Sequence, residues 1–373
     1  MASERFELRI PIPKLLVGAL LTVLPISVAG LFTLNHSQSA LEQTIGTHFR
    51  TIAEFAAAET SQFIHDRVTS VGALAATPVV AETAAAANRT YAGMDEAAIA
   101  SRIERLEKSW NTPAGNAAVS AILANPASRA LRRYLALDRR FLRITVTDEK
   151  GAVVAATHKT LDYYQADEDF WTAIYAQGRG AVSLTDILYD DVTKSYYIGV
   201  GVPILEEGTN RFIGALDALL EVSALFPMLH RAQLGATAEV QLVKDDGTII
   251  AAPNVNLAMK VKSEEFAALK DARPEIVAGY LVTTIRTGAT RIIGYADTGL
   301  RADYGSLGWT VLVNQDASQA LAPIRYVSRL LSFMALVGLL ASIFLIAYFS
   351  LHRERKLLDL QETPEKTAAT PEP

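Results

Sequence analysis

The 373-residue sequence contains no cysteine. That excludes disulfides, thiolate nucleophiles and cysteine zinc sites, and it suits an oxidising compartment. Charge of one sign is also scarce: a net charge of −5 makes no extended basic field, so nucleic acid is not an expected partner, and composition gives no reason to expect acidic partners either. The histidines His36, His48, His65, His158, His230 and His352 form no HExxH pair, and there is no GxSxG elbow or phosphate-binding glycine loop. An enzyme is therefore not expected, and the sequence presents no catalytic residue, metal ligand or cofactor site. What is abundant is apolar. Half of the residues are hydrophobic, enough for two or three domains with their own cores.

Two runs carry no charge. Residues 15–34, LLVGALLTVLPISVAGLFTL, are about long enough to cross a bilayer as a helix, and so are residues 330–351, LLSFMALVGLLASIFLIAYFSL. Arg5, Arg9 and Lys14 precede the first, and His352, Arg353, Arg355 and Lys356 follow the second. Basic flanks on both tails predict a two-pass protein of the inner (plasma) membrane with cytoplasmic tails and a large periplasmic or extracellular segment between them. A cleaved signal peptide is the alternative for the first run, helped by Ser37 and Ser39, although the stretch exceeds an ordinary signal core of about 7 to 15 residues. Pro25 is tolerable there because neighbouring groups re-satisfy the freed carbonyl.

Past the first run, Ile45, Phe49, Ile52, Ala56, Thr60, Phe63, Ile64, Val68, Val71 and Leu74 recur at helical spacing and predict one long amphipathic stalk helix. Helices are also expected over Glu96 to Trp110 and over Ala117 to Leu137, the latter interrupted or restarted at Pro126. The period then becomes two. ITVTDEKGAVVAAT from Ile144 and VQLVKDDGTIIAAP from Val240 superpose without a gap as hairpins whose polar turns close on Gly151 and Gly247. Three strand candidates follow each: Ala181 to Leu188, Tyr196 to Leu205 and Phe212 to Val222, then Tyr280 to Arg286, Arg291 to Ala296 and Trp309 to Asn314. The same order of elements written twice predicts an α+β fold of two tandem modules.

The long helix leaving a first span, the two modules, and a second span directly after them resemble the double Cache (dCache) family, the PAS-like extracellular sensors of bacterial chemoreceptors and sensor histidine kinases. The resemblance implies antiparallel sheets in both modules and divides the chain into an N-tail (1–14), first span (15–34), stalk and helical region (35–140), membrane-distal module (141–225), membrane-proximal module (226–327), second span (328–351) and a short disordered tail (352–373). It further implies a homodimer through the stalk helix, whose apolar stripe from Ile45 onward wants a partner; packing of that stripe wholly against its own domain is the alternative. Amino-acid-binding members carry a run of tyrosine, arginine, an aromatic pair, a later tyrosine and an aspartate. On that pattern lie Tyr163, Phe170 with Trp171, Tyr189 and Asp217, while the arginine place holds Glu168. Losing the arginine removes the partner of a ligand carboxylate.

Asp217 also stands out without the family. It sits in the apolar strand FIGALDALL, on one face with Ile213, Ala215 and Leu219, where an ionised acid is costly unless paired. A ligand ammonium is one partner; an internal arginine, or a capping role, is the other reading, with the aromatics as ordinary core. A cationic or amine-bearing small molecule is the expected ligand, the aromatic rings adding about 0.5 to 2 kcal/mol each. Asp190 and Asp191 lack the spacing of a calcium loop and read as a solvated turn, and the KDDG at Lys244 to Gly247 is hairpin chemistry. After the second run only a Pro-, Glu- and Thr-biased tail remains, so a sensor of this kind is expected to signal through a separate partner protein. The competing reading is a membrane scaffold or accessory subunit that uses the duplicated fold for protein contacts.

Overall fold

The structure is a computed structural model that describes residues 12–190, 193, 195–225, 238–253, 255–256 and 259–361. Its elements in chain order are α1 (Ile12–Ala75), α2 (Pro78–Arg89), α3 (Glu96–Trp110), α4 (Asn116–Ala124), α5 (Pro126–Leu137), β1 (Phe141–Asp148), β2 (Val153–Ala156), α6 (Asp169–Tyr175), β3 (Ser183–Leu184), β4 (Leu188–Asp190), β5 (Ser195–Leu205) and β6 (Phe212–Glu221). There follow β7 (Glu239–Lys244), β8 (Ile249–Ala251), α7 (Glu264–Ala272), β9 (Ala278–Thr284), β10 (Thr290–Asp297), α8 (Leu300–Tyr304), β11 (Trp309–Asp316), α9 (Ala317–Ala320) and α10 (Ala322–Gln361). The chain forms two compact units, Gly46–Ala317 and a second made of Met1–Ile45 with Ser318–Pro373.

Within Gly46–Ala317 the duplication is explicit. The distal sheet runs β2-β1-β6-β5-β3 with β4 also on β5, and the proximal sheet runs β8-β7-β11-β10-β9, both antiparallel. The Ala181 to Leu188 candidate resolves into two short strands on the same long β5, one on Gly201 and Val200 and the other on Tyr197, Tyr196 and Ser195. Both hairpin glycines have positive φ, 84° at Gly151 and 81° at Gly247, where a side chain is strained. Each glycine carbonyl accepts an N–H from the returning chain at 2.9 Å, from Gln165 in one module and Ser263 in the other.

Local signals set the helix ends. Asp95 caps α3 by accepting from Ala98 N–H, and Asn125 caps α5 by accepting from Ser128 N–H, just before Pro126. The alanine-rich α2 has no sequence expectation behind it, yet its buried Val80 and Ala84 pack under the distal sheet. In α1 the covered stripe is Phe49, Ala53, Ala56, Ala57, Thr60, Ile64, Val71 and Leu74. Gly294 of β10 lies so close to the Phe49 and Arg50 backbone that a Cβ would not fit, and Arg67 pairs with Asp138 at 2.6 Å. The protein's own modules thus cover part of the stripe, while Ile45, Ile52, Phe63 and Val68 stay half-buried and Phe55 exposed.

In the other unit both charge-free runs are helical, in the first part of α1 and in α10. Among the described residues no single helix is long and apolar enough to cross a membrane. Helix α10 continues to Gln361, through the start of the tail expected to be disordered from residue 352. The rest of that tail, and most of the N-tail expected at 1–14, lie outside the described residues.

Candidate functional site

The distal sheet has two faces, and register assigns side chains to them. Thr145, Asp217 and Gly201 are paired across β1, β6 and β5, so they share a face with Arg143, Thr147, Ala215, Leu219, Gly199 and Tyr197. Helix α6 lies on this face. Trp171 donates its indole N–H to Thr147 Oγ1 at 2.9 Å and packs with Ile174, Phe212 and Ala215. Two glycines on β5, Gly199 and Gly201, let Thr185 and Ile174 pack close beside the acid. A Cβ at Gly201 would overlap Ile174 Cδ1, and one at Gly199 would lie 2.5 Å from Thr185 Oγ1 and 3.5 Å from Asp217 Oδ1.

Asp217 is only 8% exposed and has no hydrogen-bond or ion-pair partner among the described residues. Burial pushes its carboxyl up to about 7; Arg143 opposes this and Asp190 adds to it. Arg143 is the nearby cation, diagonal to Asp217 across the β1–β6 ladder, but its Nη1 is committed to Asp190 Oδ1 at 3.0 Å. Its Nε is buried with no partner among the described residues. Tyr197 completes the cluster, its phenol pushed up to about 12 by burial, then by Asp217 and, more weakly, by Asp190 and Glu168 despite Arg143. The site thus presents an under-compensated acid and an orphan donor in one buried place.

Asp190 corrects an expectation. It is 5% exposed, pairs with Arg143 and accepts from Thr193 N–H and Oγ1 at 2.8 and 2.6 Å, so it is a buried anchor rather than a solvated turn. Asp191 lies outside the described residues. Asp246 of KDDG accepts the Thr248 N–H at 2.9 Å, as hairpin chemistry requires.

The sequence-predicted residues are only partly brought together. Asp217, Phe170 and Trp171 belong to the α6 face, though Trp171 is buried core. Glu168 is exposed at the start of α6, its carboxyl raised by partial burial and by Asp162, Asp167 and Asp169. Tyr189 is 47% exposed, its ring edge-on to Tyr196 at 5.2 Å. Tyr163 goes elsewhere, because its segment returns along β2 with Val153 N–H bonded to the Tyr163 carbonyl. Its ring packs on Trp110 at 5.3 Å, its N–H donates to Glu107 at 2.7 Å, and burial, then Asp148, pushes its phenol up to about 12. Asp148 itself leaves β1 on the face opposite Asp217 and accepts from Tyr91 Oη at 2.6 Å. Sequence reasoning missed Arg143 and Tyr197; the available signal was a lone cation and a tyrosine at alternating, sheet-facing positions of strands that flank the Asp217 strand.

No curated protein matches the chain. Solved structures do: the sensory domain of the Campylobacter jejuni chemoreceptor Tlp3 is 12% identical, with 77% of this chain and 99% of that chain covered and a TM-score of 0.50. The ligand-binding domain of the Pseudomonas aeruginosa amino acid chemoreceptor PctB, in complex with L-Arg, is 16% identical over 75% of this chain and 98% of that one, with a TM-score of 0.46. That of the Pseudomonas fluorescens chemoreceptor CtaA, with L-leucine, is 16% identical over 76% and 99%, with a TM-score of 0.45. At 12% identity the likeness to the Tlp3 domain speaks to fold alone. The dCache model of the Cache domain matches residues 37–324, the stalk and both modules together, and the chain belongs to that family.

Proposed function

We propose that the protein is a membrane-anchored sensor whose distal module takes a small amine-bearing molecule from outside the cytoplasm, against the Asp217 face. The observation that carries this is Asp217 itself: a buried acid with no partner among the described residues, beside two glycines and under a helix. A ligand ammonium would supply the missing counter-charge, with Tyr197 and Phe170 as apolar walls and Glu168 at the rim. The orphan Arg143 Nε adds a requirement. A ligand that also carries an acceptor oxygen, as an amino alcohol or an amino acid does, satisfies both groups, whereas a plain alkylamine satisfies one. Arg143 thereby supplies part of the charge that Glu168 does not, although its commitment to Asp190 leaves less for a full carboxylate.

Anchoring rests on the two charge-free helical runs with basic flanks. Family membership supports sensing over the scaffold reading. The test is calorimetry on the full chain in a non-ionic detergent, titrated with ethanolamine, glycine, leucine and propylamine. Amines with an acceptor should bind more tightly than propylamine, and Asp217→Asn should cost at least about 2 kcal/mol of binding. Unchanged amine affinity in that variant would refute the assignment.

A further inference from the structure

Residues 128–143 hold Arg129, Arg132, Arg133, Arg139, Arg140 and Arg143 against a single acid, Asp138, in a chain of net negative charge. The structure accounts for some of these. Asp138 takes Arg67 and Arg140 at 2.6 and 2.7 Å, Asp190 takes Arg143 at 3.0 Å, and Arg129 donates to the Ala124 carbonyl. Arg132 and Arg139 have no hydrogen bond or ion pair among the described residues. Both line one open groove of about 400 Å³ with His158, Thr157, Phe141 and the end of α5, and no carboxylate lines it. A solvated basic surface would scatter its side chains. Here two guanidinium groups, unpaired among the described residues, and an imidazole bound the same space beside the apolar Leu135, Ala136 and Phe141, while the Thr157 hydroxyl is held by the Ile144 backbone and His158.

We propose that this groove is a second ligand site, separate from the Asp217 face, for a small molecule with two closely spaced negative charges, a dicarboxylate or a phosphate. Arg132 and Arg139 would clamp the anion, and His158, whose Nδ1 lies 3.0 Å from Thr157 Oγ1, would add a charge-assisted bond from Nε2 when protonated. Burial, then Arg143, and more weakly Arg132, hold the His158 imidazole below its ordinary value, Asp190 opposing them. An anion in the groove reverses that field, so binding draws a proton onto His158 and tightens as pH falls.

The test uses the full chain in non-ionic detergent and low chloride, with inorganic phosphate and oxalate as separate titrants in calorimetry. Saturable binding of either supports the site, and which one binds identifies the source of the charge. Arg132→Gln with Arg139→Gln should weaken it at least about tenfold, the loss of one or two charge-assisted bonds. Arg133→Gln, exposed and outside the groove, should leave it unchanged. Oxalate stays doubly ionised, so its affinity should rise from about pH 8 to about pH 6, and His158→Gln should flatten that rise. All these side chains are at the surface, and unaltered melting of the variants checks their folding. The proposal is overturned if neither anion saturates the protein, if the double variant binds as the wild type does, or if Arg133→Gln weakens binding equally. Amine binding at Asp217 stands or falls separately, since Asp217→Asn leaves the groove residues untouched.

Discussion

Asp217 makes the stability of this protein depend on pH in a direction opposite to that of an ordinary paired acid. Folding moves its carboxyl from 3.8 to about 7. A raised acid favours the folded state fully only below its ordinary value, and the advantage is lost as pH climbs toward the folded value, because the unfolded chain ionises freely while the folded one must keep its proton. At about 1.4 kcal/mol per pH unit the loss reaches about 4 kcal/mol by pH 8, of which about 2 to 3 kcal/mol falls between pH 5 and pH 8. Asp217→Asn keeps the shape and removes the titration. The variant should gain on the wild type as pH rises, by about 5 to 10 °C in melting temperature over that interval for a unit of this size. The assay is differential scanning fluorimetry of both full chains in non-ionic detergent, without ligand, at closely spaced pH values. A gap that stays constant between pH 5 and pH 8, or a wild type that overtakes the variant at the alkaline end, would show that Asp217 is ionised and paired in the folded protein, and the case for an uncompensated acid would fail.

Further outcomes are expected. Amine binding at about pH 6 should release close to one proton, because the ligand selects the ionised Asp217; calorimetry in buffers of different ionisation enthalpy measures it, and zero release would contradict the counter-ion role. Gly201→Ala should cost about 1 to 3 kcal/mol and weaken amine binding, since its methyl displaces Ile174 and with it α6; a neutral effect on both would mean that the helix is not held against this strand. Tyr91→Phe should destabilise the distal module by about 1 to 3 kcal/mol by stripping the buried Asp148 of its phenol donor, read by thermal melting. A cysteine at Glu207, exposed in the β5–β6 turn, should react with an impermeant thiol reagent in intact cells while one at Thr367 does not; the reverse pattern would invert the topology.

The sequence carried the repeat well because the features that define it are local. Alternation marks the strands, a glycine in each hairpin turn marks the register, and Pro126 marks a helix start, so the tandem modules, α3 and α5 were legible before any contact was known. The site was legible only through Asp217, an acid in an apolar strand. Its neighbours were hidden because they depend on pairings distant in the chain. Nothing near Arg143 in sequence announces Asp190 as its partner, and DD after a short strand looks like a turn until β4 docks on β5. Tyr163 was placed with the wall because spacing along the chain says nothing of the return along β2 that turns it toward Trp110. Helix α2 escaped because alanines give little periodic contrast, although they fit closely beneath Gly214.

The segment between β3 and β4 ties the two modules in a particular way. Thr185 hydrogen-bonds Gly199 on both sides of its residue, at 2.8 and 3.0 Å, right beside Asp217. Its neighbours on either side bond to the other module: the Leu184 carbonyl accepts from Ser306 Oγ at 2.7 Å, and Asp186 pairs with Lys244 and accepts from Trp309 Nε1 at 3.4 Å. Consecutive residues are coupled by a single rigid peptide plane, with almost no slack between them. These three residues therefore join the edge of the distal sheet beside Asp217 to the proximal module through consecutive peptide planes, so a displacement of Thr185 would be felt at Ser306, Lys244 and Trp309.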